Sequence, residues 1–455
     1  MFISDKHEKV MQAAIKRIKP TEKEKAKQKQ LAEKLIRRLD KITPSDISIE
    51  LAGSTAKGTN LSGDMDFDIF MLFSKKYSVK ELMSLGIKYA KRFSKGNKSE
   101  IAYAQHPYLR AWIEGIEIDI VPSYRISDVS EMLTAVDRSP LHTKYVNSKM
   151  NEKQKDDVRL LKRFLKTQGI YGAEGRIQGF SGYLCELLVL KYGSFMGLLD
   201  AATQWKGVPA IMLAEKLNEN EVRKKYPDAA MVVIDPVDPE RNVAASVSKT
   251  SLTVLMHAAK MFLNKPGIRA FLPVQEKIDG KWIDRQVRCR DSLILGIEFE
   301  RPKNIVDDIL WPQLYKFAGK VADRMKENKF EVFDIDVYAD GKCLLLCELS
   351  IYSLPKIRKI AGPPLTQKDD VERFIREHSV TEPIWFENER ILAVGNRRYV
   401  HATQIIEEII KKPKNNGVPP DILRVIKTSK ILNIKDVKKK YTRFLFEYLK
   451  TRNVP

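Results

Sequence analysis

Three acidic residues on two strand-like runs are the most chemically informative feature of this chain. The first run, Ile47-Ser48-Ile49-Glu50-Leu51-Ala52-Gly53-Ser54, is followed a dozen residues later by Asp66-Phe67-Asp68-Ile69-Phe70-Met71. The second is Ile116-Glu117-Ile118-Asp119-Ile120-Val121. Side chains alternate faces along a strand, so Asp66 and Asp68 are expected on one face, with Phe67 and Ile69 turned into a core. Asp119 likewise opposes the row Ile116, Ile118, Ile120. Carboxylates converging at the rim of one sheet repel each other, and burying them without a counterion is costly. A divalent cation is the usual remedy. The set therefore predicts a two-magnesium site for phosphoryl chemistry, with Asp66, Asp68 and Asp119 as ligands. Upstream, Gly53 lets the backbone approach a phosphate closely, and the amides after it can form an anion nest. Ser54 can donate to a phosphate oxygen, and Lys57 adds a point charge.

The elements that must hold these residues are legible in outline. Residues 8–40 read as helical, and a turn at Thr43-Pro44-Ser45-Asp46 leads into a strand over 47–52. Helical and strand-like segments alternate to about residue 125, an α/β pattern. Ser139-Pro140 predicts a helix start with a capping hydroxyl. Val158, Leu161 and Leu165 then share one helical face, and Gly169 ends that helix. Another helix opens after Gly179-Phe180-Ser181-Gly182. Asp235-Pro236-Val237-Asp238-Pro239 reads as a turn-rich link, and Ser248 to Lys265 as an amphipathic helix. Farther on, 331–338 and 342–352 predict a hairpin. The expected architecture is α/β and α+β multidomain: a catalytic head over 1–145, a helical central domain over 146–255, and a C-terminal body and tail over 256–455.

At 455 residues the chain is too long for a single core. A content of 43% hydrophobic and 31% charged residues is that of a globular protein. No stretch approaches twenty apolar residues and no signal-peptide pattern opens the chain, which points to a cytoplasmic protein with no membrane span. Cys185, Cys289, Cys343 and Cys347 are too few for a disulfide framework and are expected as buried free thiols. The formal net charge of +21 favours a polyanionic partner. The basic excess is largest near the ends: residues 401–455 carry 13 Lys and Arg against 5 Asp and Glu. Such ends suit a groove that follows a phosphate backbone.

Gly53-Ser54, Asp66-Phe67-Asp68 and Ile118-Asp119 together resemble the nucleotidyltransferase superfamily of DNA polymerase β and the poly(A) polymerases. Further stretches narrow the likeness: Val136-Asp137-Arg138-Ser139-Pro140-Leu141-His142, Gly169-Ile170-Tyr171-Gly172, Gly179-Phe180-Ser181-Gly182-Tyr183-Leu184-Cys185-Glu186 and Asp235-Pro236-Val237-Asp238-Pro239-Glu240-Arg241-Asn242. With Pro302, Asp307-Asp308 and Pro312-Gln313-Leu314 they resemble the archaeal, class I CCA-adding enzymes. The resemblance implies a polymerase β-like head and α+β RNA-binding C-terminal domains. It implies metal carboxylates at Asp66, Asp68 and Asp119, and phosphate contacts at Ser54 and Lys57. His142, Lys162 and Tyr171 match triphosphate-binding positions, and Arg241 matches the residue that reads the incoming base with its donor fork. Some relatives have Glu where this chain has Asp66, which touches metal geometry and not activity. The implied reaction adds C, C and A to the tRNA 3′ end from CTP and ATP, with the acceptor and TψC arms gripped by the C-terminal half. Rival readings are a poly(A) or other terminal RNA nucleotidyltransferase, and a non-catalytic RNA-binding protein that kept the fold. Whether the chain forms a homodimer is left open.

Overall fold

A computed structural model of the chain describes residues 4–103, 106–213, 218–273, 277–378 and 383–451. It divides into two compact units, Met1–Gln275 and Glu276–Pro455.

The first unit opens with α1 (Asp5–Ile18) and α2 (Glu22–Asp40), two helices where the sequence pattern suggested one. Pro20 explains the break. The residue before a proline is pushed to extended backbone, and Lys19 has φ −82° and ψ 131°. Thr21 and Glu24 then form a capping box that starts α2. Next come β1 (Ser48–Ala52), the single turn α3 (Gly53–Lys57), β2 (Phe67–Phe73), α4 (Val79–Phe93), β3 (Lys98–Tyr103), β4 (Pro107–Ile113) and β5 (Ile116–Tyr124). The strands form one sheet in the order β1-β2-β5-β4-β3, with β2 and β5 parallel and the other neighbours antiparallel. Phe67, Ile69, Met71, Ile118 and Ile120 pack on one face against Leu31, Leu35 and Leu39 of α2 and Leu82, Ala90 and Phe93 of α4. The opposite face is also buried along most of β2 and β5. Only Asp68, Glu117 and Asp119, near the start of these two strands, are half-buried. The acids thus sit at the open end of an otherwise closed sheet. Asp66 lies just before β2 and not within it.

The chain continues through α5 (Arg138–Lys149), α6 (Glu152–Thr167), α7 (Gly182–Tyr192), α8 (Phe195–Gln204), β6 (Ala210–Ile211), α9 (Glu219–Lys225), β7 (Val232–Val233) and α10 (Lys249–Asn264). Ser139 and Pro140 lie inside α5 and do not start it; α5 follows directly on a 3-10 turn (Ala135–Asp137) that carries its own capping box of Thr134 and Asp137. Asn151, Ser181 and Ser248 cap α6, α7 and α10 with their side chains. Phe164, Phe195, Phe262 and Phe271 meet edge-on or tilted at the centre of this helical core, which also takes up Ala14 and Ile18 of α1. The division expected after residue 255 falls inside α10, whose Leu255, Ala259 and Phe262 belong to the same core.

The second unit comprises α11 (Gly280–Arg290), β8 (Leu293–Glu300), α12 (Asp307–Glu327), β9 (Glu331–Ala339), β10 (Lys342–Ile351), β11 (Ile357–Pro364), α13 (Lys368–His378), β12 (Ile384–Glu387), β13 (Arg390–Asn396), α14 (Ala402–Lys411), α15 (Pro420–Leu423), β14 (Lys430–Asn433), α16 (Ile434–Lys440) and α17 (Thr442–Thr451). The expected hairpin is β9–β10, in a sheet ordered β14-β8-β10-β9. A second sheet, β11-β13-β12, packs on α13. The basic C-terminal stretch is no loose tail: β14 pairs with β8, and Leu445, Tyr448 and Leu449 are buried beside Leu344 and Leu346. Cys185, Cys343 and Cys347 are buried as expected, but Cys289 is exposed. Among the described residues no single helix is long and apolar enough to cross a membrane.

One buried carboxylate ties the head sheet to the loop that follows it. Asp137 is fully buried and accepts from the Ser123 hydroxyl, the Tyr124 amide, the Leu133 and Thr134 amides and the Thr134 hydroxyl. Its removal leaves several buried donors unsatisfied, each costing about 1–3 kcal/mol. Asp137→Ala is expected to lower stability by roughly 3 kcal/mol or more, as read from the urea midpoint.

Candidate active site

The acids come together through strand register. Asp68 of β2 pairs with Asp119 of β5, Asp119 pairs with Arg110 of β4, and Ala52 of β1 pairs with Asp68. One row therefore runs Ala52, Asp68, Asp119, Arg110 across four strands. Arg110 closes a two-pronged bond on Asp119, with Nε and Nη2 each 2.8 Å from a carboxylate oxygen. Gly53, at φ +71°, turns the chain from β1 into α3 directly over this row. A β-carbon there would lie 1.8 Å from Asp68 Oδ2, so only glycine fits. Thr55 donates to the Asp66 carbonyl at 2.9 Å, which anchors the segment entering β2.

The row faces a cavity of about 330 Å³. Of the residues singled out in the sequence, Gly53, Ser54, Lys57, Asp66, Asp68, Asp119, Lys162 and Tyr171 line it. Burial is the main cause that pushes the Asp68 carboxyl up to about 6, and the charges of Asp119 and Asp66 add to it. Asp66 is raised as well, by burial first and then by Asp64. Such a face is short of positive charge and presents hard oxygen donors, which fits magnesium. Among the described residues, no three His, Cys, Asp or Glu side chains stand in a ready-made ion cage.

The far wall of the cavity is cationic. Lys57 Nζ sits 2.6 Å from Glu186 Oε2, and Lys162 Nζ lies 3.8 Å from Glu186 Oε1 while donating to the Thr59 carbonyl and hydroxyl. Thr59 donates to the same carboxylate at 2.6 Å. Lys57, Thr59, Lys162 and Glu186 are all buried. One carboxylate thus pairs with two buried lysine ends. Burial depresses the Lys162 pKa, with Glu186 opposing. Burial would raise Glu186, but the two lysines outweigh it and hold its carboxyl low. Arg159 fastens the loop before this wall, donating to the Asn60 carbonyl at 2.9 Å and to the Gly58 carbonyl.

His142 and Arg241 are placed elsewhere, on a common partner. His142 Nε2 is 2.8 Å and Arg241 Nη1 3.0 Å from Asp235 Oδ2, while the Tyr183 hydroxyl donates to Asp235 Oδ1 at 2.9 Å. The His142 ring stacks on Tyr183 with centroids 3.9 Å apart. Asp235 is fully buried; burial alone would raise its pKa, yet these donors hold it down to about 2. Arg241 lines a second cavity of about 530 Å³, beside Arg138 and Asp238. The Asp235–Pro239 run, expected as a link, is held in the packed structure through Asp235 and lines this second cavity through Asp238.

Four residues of this arrangement escaped sequence reasoning: Arg110, Tyr183, Glu186 and Asp235. Glu186 left a readable trace, because it is the one carboxylate on the otherwise apolar helix Gly-Tyr-Leu-Cys-Glu-Leu-Leu-Val-Leu. Arg110 left none, since its partner depends on strand order.

Known families match along the chain in the same order. Residues 32–142 match the nucleotidyltransferase domain, 156–272 the second domain of tRNA nucleotidyltransferases, and 290–433 the C-terminal domain of CCA-adding enzymes. The CCA-adding enzyme of Methanocaldococcus jannaschii is 36% identical over 414 residues, covering 89% of this chain and 90% of that protein. That of Methanothermobacter thermautotrophicus is 36% identical over 88% of this chain and 87% of its own length. The CCA-adding enzyme of Sulfurisphaera tokodaii is 35% identical, covering 89% and 91%.

Two outcomes follow from the charge balance. Glu186→Gln leaves two buried ammonium groups without their carboxylate and is expected to destabilise the protein by about 3–5 kcal/mol in urea unfolding. Asp68 gives a pH signature in EDTA. The folded protein keeps a proton there up to about pH 6, whereas the ordinary value is 3.8. The folded state then binds more protons across that window, and its stability falls as pH rises through it. Wild type minus Asp68→Asn should lose about 2 kcal/mol between pH 4.5 and 6.5, measured by denaturant midpoints.

Proposed function

The chain belongs to the CCA-adding enzymes, and from that premise we propose that it builds the 3′-terminal CCA of tRNA, adding C, C and A in order from CTP and ATP with release of pyrophosphate. It is a nucleotidyltransferase. The observation that carries the nucleotidyl-transfer chemistry is the pairing of Asp68 and Asp119 on one wall of a cavity whose other wall holds Lys57 and Lys162, and the C, C, A order rests on the family match.

In this reading Asp66, Asp68 and Asp119 hold two magnesium ions. Bound magnesium supplies the activation of the attacking hydroxyl and the charge neutralisation that phosphoryl transfer requires. The chain's own side chains do the rest. Lys57, Lys162, Ser54 and Tyr171 receive the triphosphate, and the lysines around Glu186 favour the leaving pyrophosphate, whose negative charge grows as the bond breaks. His142 joins the triphosphate contacts. It also steadies Asp235, which aims the Arg241 guanidinium at the edge of the incoming base. Tyr183 closes the space between these groups. The head (1–145) and helical neck carry the chemistry. Residues of the second unit grip the acceptor and TψC arms through backbone and shape. The enzyme acts in the cytoplasm.

Supplying a tRNA trimmed of its last three nucleotides separates this reading from its rivals. CTP alone should extend it by two residues and CTP with ATP by three on a sequencing gel. Long adenylate tails from ATP alone would overturn the proposal in favour of a poly(A) polymerase. Asp68→Ala or Asp119→Ala should lower incorporation by about 10³-fold or more, with tRNA binding by gel shift unchanged; retained turnover would refute their assignment.

A further inference from the structure

Among the described residues Arg110 is the cation paired with the acid row, and nothing in the proposed reaction uses it. Its fork takes both oxygens of Asp119 at 2.8 Å, its Nη2 donates to the Tyr108 hydroxyl at 3.1 Å, and its Nε is 2.9 Å from Glu117 Oε1. Glu117 lies two residues before Asp119 on the same face of β5 and lines the same cavity. The guanidinium therefore already touches two carboxylates, one of them also required by a divalent ion. A monovalent and a divalent cation held by the same carboxylate repel at short range in a half-buried site. An ion arriving at Asp119 thus has a standing competitor, and the competitor has a second partner within reach.

We propose that Arg110 is an internal counter-cation to Asp119: it neutralises the acid wall before ions arrive, and on loading it gives up Asp119 to the divalent ion and stays paired with Glu117. The role is one of positioning, exerted through Asp119, and it rests on the reading of Asp66, Asp68 and Asp119 as ion ligands. Three features of the geometry support it. Arginine stays charged at any working pH, so the exchange needs no proton. The side chain keeps about 30% exposure, which leaves it room to shift. Glu117, at 36% exposure against 17% for Asp119, is the more solvated partner, so holding the arginine there costs less desolvation than holding it on Asp119.

The test titrates manganese into the full-length protein without nucleotide and follows free Mn²⁺ by electron paramagnetic resonance. Arg110→Gln is expected to bind Mn²⁺ about tenfold more tightly than wild type, because the competitor is gone. Arg110→Lys, which keeps the charge and loses the fork, should fall between them. Glu117→Gln should bind a few-fold more weakly, since the arginine loses its alternative partner. Thermal unfolding separates competition from a purely structural role. Arg110→Gln should be less stable than wild type in EDTA and should regain more in Mn²⁺ than wild type does; an equal deficit in both conditions would count against the proposal. Asp68→Asn tells the two readings apart. If wild type binds Mn²⁺, Asp68→Asn weakens that binding and Arg110→Gln leaves it unchanged or weaker, the arginine exchange is wrong and the ion site stands. If Asp68→Asn leaves Mn²⁺ binding as in wild type, the ion site itself is wrong and the exchange falls with it.

Discussion

Like charges confined to one row of a sheet are the constraint to which the rest of this site answers. Parallel pairing of β2 with β5 puts Asp68 and Asp119 side by side, because a strand's side chains cannot choose their face independently of the apolar residues between them. Ile69, Ile118 and Ile120 are committed to the helix-covered core, and the aspartates are committed with them to the opposite face. Their repulsion is then a fixed property of the fold. It is relieved on one flank by Arg110, through the next strand pair, and across the cavity by two buried lysines. Gly53 completes the enclosure by laying backbone where any other residue would strike Asp68.

The opposite wall solves the converse problem with the same economy. Two lysine ends buried side by side without a carboxylate would be costly to desolvate. Glu186 supplies half the compensating charge and Thr59 completes the carboxylate's hydrogen bonds. Full neutralisation would leave nothing to attract a polyphosphate. In the proposed function, the charge these buried lysines carry acts in a low-dielectric setting, where it attracts phosphate oxygens more than an exposed lysine could. The two walls are thus polarised against each other: oxygen donors that call for cations on the sheet, cations that call for anions on the helices.

Sequence revealed the sheet side of this arrangement more fully than the helical side, for a physical reason. A period-two alternation interrupted by aspartates names both the strand and the face, so Asp68 and Asp119 were visible without knowing any neighbour. Arg110 stands on an equally regular strand, yet its meaning depends on β4 lying next to β5, which no local pattern records. Asp235 was hidden by its own surroundings, since flanking prolines make the run read as a connector, and only burial beneath His142, Tyr183 and Arg241 shows otherwise. Among the elements, the apparent single helix over 8–40 broke at Pro20. Periodicity persisted through the break because both helices bury apolar stripes, α1 in the helical core and α2 on the head sheet. The hairpin at 331–351 and the helices that open after Ser181 and Ser248 were legible because turn chemistry and helical periodicity are local.

Helix α7 makes the site a single mechanical object. Tyr183 and Glu186 stand three residues apart on it and so project from the same side. Tyr183 binds Asp235 through its hydroxyl and stacks under His142, while its ring faces Lys57 Nζ at 5.5 Å; Glu186 holds that same lysine together with Lys162. A continuous path of contacts runs from Arg241 through Asp235 and Tyr183 to Lys57, Glu186 and Lys162. In the proposed function, the end of the path assigned to the base and the end assigned to the triphosphate therefore share one rigid support. On that proposal, a nucleotide that seats badly against Arg241 disturbs Asp235 and Tyr183, and through them the lysine assigned to its phosphates. Discrimination between nucleotides can then be expressed in the phosphate geometry as well as in base contacts, which is what a protein that selects its substrate without a nucleic-acid template needs.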